Sequence, residues 1–169
     1  MPQDLKYLIE IRPADLGDVE AITAIYNDAV LNSVATFDMQ PKTLDDRRAW
    51  LEAHDRQHPV LVAILDGRVA GWASVSKFAD RPAYAITGEL SVYVNQQFRG
   101  QGIGRGLMEA VIEAARQVGL HTIISRITGG NDVSIHLHES LGFGAVGTMR
   151  EVGSKFGRLL DLVVMQKML

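Results

Sequence analysis

The chain has 169 residues, about the size of one domain, and with 47% hydrophobic and 22% charged residues it can bury a core without staples. It contains no cysteine, which excludes disulfides, Cys-based metal sites and a thiol nucleophile. A net charge of -3 with no basic block argues against nucleic acid as a partner, and no apolar run approaches the roughly 18 residues a membrane helix needs.

Residues 1–11 lack a basic stretch leading into a long apolar one, so no signal peptide is read. The cytoplasm is the expected compartment, in keeping with a cysteine-free chain. Residues 1–169 read as a single domain with no internal repeat or low-complexity linker.

In chain order, residues 7–12 read as a short first strand. Asp15 can cap a helix running to about Val30, in which Val19, Ile22, Tyr26 and Ala29 recur at spacings of three and four and share one face. Residues 32–41 form a loop carrying one aromatic, Phe37. Thr43 opens a second helix, with Asp46 in the reciprocal capping position, and Pro59 ends that region. Residues 60–65 and 68–77 are apolar strands around Asp66-Gly67, the strongest short hairpin signal in the chain. Residues 78–87 are a loop containing Arg81 and Tyr84, and residues 89–95 a fourth strand. A glycine-rich turn over 99–104 leads into a third helix, lined on one side by Ile103, Leu107, Val111, Ala115 and Val118. A fifth strand follows over 120–127, then a short helix over 131–140 stopped by Gly142, and two final strands over 143–150 and 160–168. The pattern is α+β: mostly strands, with four helices.

Arg99-Gly100-Gln101-Gly102-Ile103-Gly104 joins a strand to an amphipathic helix. Glycine admits positive φ and lets the backbone approach a ligand closely. Successive N–H groups can then converge on an anion, and the N-terminus of the following helix adds partial positive charge. Such a turn can cradle a diphosphate, or can be a plain turn with no ligand. A P-loop would need Gly-Lys-Ser/Thr at its end, which is absent. A dinucleotide fingerprint would need a third glycine where Arg105 or Leu107 stands.

Arg99-x-x-Gly102-x-Gly104 resembles the Arg/Gln-x-x-Gly-x-Gly/Ala signature of the GNAT superfamily of N-acetyltransferases. The similarity runs from about Ile11 to Met165 and is nearest to the phosphinothricin acetyltransferase branch. It is carried by Ile25-Tyr26-Asn27, Arg81-Pro82-Ala83-Tyr84, Glu89-x-Ser91-Val92-Tyr93-Val94, Ser134 with Leu137-His138-Glu139, Leu141-Gly142-Phe143, and the stretch from Glu151 to Arg158. The resemblance implies a mixed, mostly antiparallel central sheet of about seven strands flanked by four helices. It implies acetyl-coenzyme A as cosubstrate and no metal. Arg99, Gly100, Gln101, Gly102, Ile103, Gly104 and Arg105 would hold the pyrophosphate. Val92, Tyr93 and Val94 would hold the thioester carbonyl and pantetheine through their backbone, and Asn131 would add a polar contact to the pantetheine arm. Homodimers are frequent in the family.

The residues themselves support part of this. Glu89 heads a strand in which Leu90, Val92 and Val94 point one way and Glu89, Ser91, Tyr93 and Asn95 the other. An alkyl amine is mostly protonated at neutral pH, and a carboxylate can take its proton directly or through water. Burial would suit that carboxylate by raising its pKa. Glu89 is therefore the candidate base; a solvent-facing strand glutamate is the plain alternative. Without cysteine, direct attack of the amine in a ternary complex is the favoured route. Asn131 also stands at a helix N-cap, a structural role sufficient for it. His136 and His138 are two apart on a helix, too poorly aligned for joint metal ligation. His138 falls where many relatives carry a tyrosine that protonates the leaving thiolate; histidine can donate that proton or can simply pack beside the coenzyme.

The branch uses Phe37, Arg81, Tyr84, Lys155 and Phe156 near its acceptor. Arg81 or Lys155 could pair with a substrate carboxylate, and Phe37 and Tyr84 could wall the pocket. The chain departs from the branch at Ala85 and Ile86, at Gly88 where valine is common, and at Leu159 where an aromatic is usual. The reading is an acetyl-coenzyme A-dependent N-acetyltransferase acting on a small amine, an amino acid analogue such as phosphinothricin or methionine sulfoximine. The alternatives are a protein N-terminal or lysine acetyltransferase and a non-catalytic acyl-coenzyme A sensor.

Overall fold

The computed structural model describes residues 8–169; Tyr7, the first residue of the expected opening strand, lies outside the described residues. Strand β1 (Glu10–Pro13) ends beside a single 3-10 turn (Leu16–Asp18) closed by a reciprocal cap between Asp15 and Asp18. Arg12 locks this corner with a two-pronged pair to the buried Asp18 at 2.7 and 2.9 Å. Helix α1 (Val19–Asn32) follows without a break. The expected apolar face is real: Val19, Ile22, Tyr26 and Ala29 are all buried. Helix α2 (Leu44–Ala53) begins at the expected Thr43–Asp46 capping box, each side chain bonding the other's backbone N–H at 3.0 Å.

Strands β2 (Val60–Leu65) and β3 (Arg68–Lys77) form the hairpin signalled by Asp66-Gly67, with φ of 52° and 72° at the two turn residues. Strand β4 (Thr87–Val94) leads through the glycine turn into helix α3 (Ile103–Gln117), then strand β5 (Thr122–Thr128), helix α4 (Asp132–Ser140), strand β6 (Gly144–Lys155) and strand β7 (Arg158–Met168). Among the described residues, seven strands form one sheet in the order β1-β2-β3-β4-β5-β7-β6. All neighbours are antiparallel except β4 and β5, whose parallel pairing is made possible by the crossover through α3. The α+β sheet of seven strands with four α-helices is the architecture expected from the sequence.

The last hairpin differs from expectation. β6 and β7 are longer than 143–150 and 160–168, and they meet in a two-residue turn at Phe156-Gly157, with φ of 51° and 69°. This is the backbone of the Asp66-Gly67 turn, but a phenylalanine at a position needing positive φ conceals it in sequence. Register shifts between Ala145 and Gly147 and between Met149 and Gly153 further disguise β6.

The alternation of strand side chains builds a core on each face. On one face Leu61, Val75, Leu90, Ile123 and Met165 pack under Ile103, Leu107, Met108 and Val111 of α3. On the other, Val62 and Trp72 pack under Ile22, Ile25, Tyr26 and Val30 of α1. Helix α2 adds the buried Arg47, whose guanidinium lies 4.3 Å from the Tyr26 ring centre and 4.5 Å from that of Trp50.

Gly88, next to the candidate base, is explained by this packing. A Cβ there would sit 2.3 Å from Val75 Cγ1 and 3.0 Å from Leu120 Cδ1, so neighbours already fill the space a valine would use. Gly88→Val should destabilise the chain by about 1–3 kcal/mol through overpacking, lowering Tm by several degrees. Combining it with Val75→Ala should cost less than the two single changes added together. Thermal melts of the four chains check this; strict additivity would refute the packing account.

Candidate active site

β4 and β5 are joined by only three residue pairs, Thr87↔Thr122, Gly88↔Ile123 and Glu89↔Ile124. Beyond Glu89 the strands part, and β4 continues from Leu90 to Val94 with its β5-facing side free of ladder partners. A cleft opens there, lined by residues 90–93 of β4, residues 125–128 of β5 and Asn131, Ser134 and His138. The side chains of Val92 and Val94 pack toward the α3 core and Tyr93 toward Trp72, so these three residues offer the cleft their backbone.

Past the residues that line the cleft, β4 ends at Val94, which adjoins the start of α3. Gly100 and Gly102 have φ of 74° and 81°, and Gly102 is the helix N-cap with no side-chain cap. The first intrahelical bond runs from Gly106 N–H to the Gly102 carbonyl, which leaves the N–H groups of Ile103, Gly104 and Arg105 without intrahelical partners. Gly104 lies inside the first turn, and a Cβ there would only touch Leu137 and Val94 at 3.6 Å; its bareness leaves room over those N–H groups. Ile103 is buried and can offer only its backbone. Arg99 donates from Nε to the Val94 carbonyl at 3.4 Å, and Arg105 reaches Ser140 Oγ at 3.2 Å and Glu109 at 2.9 Å, tying the end of the cleft to α4. Gln101 is exposed beside them. An open strand edge leading to a bare helix N-terminus fits a long ligand with amides along its arm and a diphosphate at its end. Asn131 lines the cleft and also caps α4, its Oδ1 accepting from Ser134 N–H at 3.3 Å.

Glu89 occupies the last position of β4 paired with β5, where the strands part. Its side chain is 25% exposed, enough to meet a substrate. Burial raises its carboxyl pKa above the ordinary value of 4.5, while the Arg126 cation pulls the other way. Arg126 Nη1 lies 3.3 Å from Glu89 Oε2. Arg126 is absent from the sequence-derived site. Its one sequence signal is being the only charge in the apolar stretch from Thr122 to Thr128, two residues past the partner of Glu89 and therefore on the same sheet face.

His138 is buried against Phe143, ring centres 4.9 Å apart. Nδ1–H donates to the Ser134 carbonyl at 2.7 Å, so Nε2 of the neutral ring accepts from the Ser125 hydroxyl at 3.0 Å. Burial holds the imidazole pKa below 6.5, opposed by the Ser134 bond. His136 instead points outward and pairs with Glu139 at 3.1 Å.

The five expected acceptor residues fall into two groups. Tyr84 packs edge-on against Phe78 with ring centres 5.3 Å apart, and Phe78 lies under the Arg126 guanidinium at 5.4 Å, so this loop adjoins Glu89. Arg81, at the start of the same loop's 3-10 turn, is exposed. Phe37 belongs to the second group and rests on Gly153, where a Cβ would come within 2.4 Å of its ring. Lys155 is buried, and its ammonium donates to the Thr36 carbonyl at 2.8 Å. Phe156 is exposed at the hairpin tip, 5.1 Å from the Lys155 ammonium. The fold thus uses Lys155 to hold the α1–α2 loop, which Thr128 also fastens by donating to the Val34 carbonyl at 2.6 Å.

Residues 22–143 match the model of the acetyltransferase (GNAT) family. The chain belongs to this family. The GNAT chain is 46% identical over 158 residues to an L-methionine sulfoximine/L-methionine sulfone acetyltransferase of Pseudomonas paraeruginosa, covering 92% of both chains. Its fold superposes on a phosphinothricin acetyltransferase from Sinorhizobium meliloti in complex with acetyl-coenzyme A with a TM-score of 0.92, at 35% identity, covering 95% of this chain and 88% of that one. A ribosomal-protein-alanine N-acetyltransferase from Brucella melitensis superposes with a TM-score of 0.92 at 46% identity, covering 95% and 99%. The matched range includes the positive-φ turn and bare helix start described above.

Gly102→Val in this GNAT domain would force a β-branched residue to φ near 81°, a conformation that costs about 1–2 kcal/mol and that the loop can escape only by turning its N–H groups away. Calorimetric titration should find no coenzyme A binding while a cooperative melt persists. Wild-type affinity in the folded variant would contradict the cradle.

His138 yields a pH prediction. The unfolded chain protonates this histidine near pH 6.5 and the folded chain only at lower pH. Between those values the unfolded state binds more protons, so the contribution is full above 6.5 and is lost as pH falls toward the folded pKa. His54, half-buried and likewise lowered by desolvation, adds in the same direction. His138→Gln should flatten the decline of Tm with falling pH; an unchanged slope would show that His138 is not the titrating group.

Proposed function

We propose that this chain transfers the acetyl group of acetyl-coenzyme A to the α-amine of a small amino acid analogue, of the methionine sulfoximine or phosphinothricin kind. The observation that carries the reading is Glu89 at the point where the strands part, half-buried yet partly exposed, with its pKa raised. Acetyl-coenzyme A supplies the activated acetyl thioester. In this reading the backbone of Val92, Tyr93 and Val94 orients the acyl arm, and the Gly100 to Arg105 turn with Arg99 binds the diphosphate. Asn131 holds the arm at the start of α4. Glu89 takes a proton from the substrate ammonium, directly or through water, freeing the nitrogen lone pair. Positioning and proton removal are the work of the chain; no covalent enzyme intermediate is needed. Neutral His138 gives its Nδ1–H to the Ser134 carbonyl and accepts from Ser125 at Nε2, so it holds no proton for the leaving sulfur, and the thiolate of coenzyme A departs without it.

The acceptor class is supported by the activities named for the similar chains and by the cationic and aromatic groups around Glu89: Arg126, Phe78 and Tyr84. Arg81, Phe37 and the Lys155-Phe156 turn are proposed as outer walls. The reading places the enzyme in the cytoplasm and without a metal. A homodimer also belongs to it. β6 lies at the edge of the sheet and exposes Val146, Met149 and Val152, and Phe156 and Leu159 continue the apolar strip. Light scattering should return twice the chain mass; a monomer at micromolar concentration would remove this element.

Glu89→Gln should leave coenzyme A affinity unchanged and lower kcat about 10²-fold or more. Near-normal turnover at saturating substrate would remove Glu89 as base. Comparing kcat/KM for methionine sulfoximine, phosphinothricin, their carboxamides and a short peptide panel tests the acceptor. Preference for peptides would favour the protein-acetylating reading that the Brucella structure raises. Coenzyme A binding with no release of free thiol for any amine would favour a sensor.

A further inference from the structure

We infer that Arg126 is the residue that recognises the α-carboxylate of the acceptor, and that the Glu89–Arg126 pair is a template for a free zwitterionic amino acid. This rests on the small-molecule acetyltransferase reading and deepens it. Glu89 Oε2 and Arg126 Nη1 are 3.3 Å apart, side by side at the point where β4 and β5 separate. In an α-amino acid the ammonium nitrogen and the carboxylate carbon are joined through Cα and lie about 2.5 Å apart. The two spacings are matched closely enough for the ammonium to face Glu89 while the carboxylate faces Arg126, so that charges alternate around a four-cornered ring. Placing the carboxylate on Arg126 fixes the amine against its base.

Three features single out Arg126 among the cations of the region. Its side chain is 43% exposed and lines the cleft, so a ligand can reach it. It is oriented by Phe78, whose ring lies 5.4 Å below, and Phe78 is braced by Tyr84. Its Nη1 contact to Glu89 is monodentate, leaving N–H donors of the fork for a second carboxylate. Lys155, by contrast, is buried and bonded to the Thr36 carbonyl.

Selection follows from this arrangement. The N-terminal residue of a peptide carries a neutral amide where the free amino acid carries its carboxylate, and a lysine side chain carries nothing there. Neither satisfies the Arg126 cation. A charge-assisted hydrogen bond lost at this point corresponds to roughly 10- to 100-fold in kcat/KM. The same cation acts on Glu89: without Arg126, the opposing pull on the carboxyl pKa disappears and burial acts alone.

The experiment compares the wild-type chain with Arg126→Met and Arg126→Lys, using methionine sulfoximine, phosphinothricin and their carboxamides, with melting curves confirming the folded state. Wild type should prefer the carboxylates about 10- to 100-fold in kcat/KM. Arg126→Met should bring that ratio near unity, chiefly by raising KM, and should move the acid limb of the kcat profile to higher pH. Arg126→Lys should restore part of both. If wild type acetylates other amines but no α-amino acid, the acceptor reading and this assignment fall together. If wild type shows the carboxylate preference and Arg126→Met keeps it, the Arg126 assignment alone is overturned, as it is if Arg126→Met shifts only the pH profile.

Discussion

Parallel pairing between β4 and β5 stops after Glu89 and Ile124, and the site depends on that parting. If the ladder continued, the backbone of residues 90–94 would be consumed by β5 and no extended ligand could lie along it. If it stopped earlier, Glu89 would lose the neighbouring strand that half-buries it and brings Arg126 alongside. The crossover through α3 makes the parallel seam possible, and it also aims the start of α3 at the far end of the same opening. One interruption in a sheet thus accounts for the proposed acyl channel and for the place of the proposed base.

The two charges at the mouth of the opening balance one another. Burial alone would push the Glu89 carboxyl toward its neutral form, in which it cannot accept a proton. Arg126 alone, in water, would hold it ionised and weakly basic. Together they leave the carboxyl pKa raised but restrained, the direction that suits the proton-accepting role proposed for Glu89.

Local signals in the sequence were read correctly where structure is decided locally. The Thr43–Asp46 cap, the Asp66-Gly67 turn and the apolar stripe of α3 all depend on residues within a few positions of each other. The Phe156-Gly157 turn was hidden because its first residue is chemically wrong for its backbone, and the β6 edge because register shifts break the period of two. Lys155 could not be separated from a substrate-facing cation by sequence, since its partner carbonyl belongs to Thr36, far away in the chain. The same holds for Arg126: its neighbour is set by the register of two strands joined through a whole helix.

The two halves of the site are made of different materials. The proposed coenzyme side would use main-chain groups of β4 and the α3 start, where most side chains are turned into the core or kept bare. The proposed acceptor side would use side chains: Glu89, Arg126, Phe78 and Tyr84. Point mutation changes side chains and leaves main-chain hydrogen-bonding groups in place. The enzyme can therefore drift among acceptors by single substitutions at the mouth while its donor chemistry stays constant. That asymmetry makes the fold a durable platform for new acceptor specificities and a tractable one for redesign.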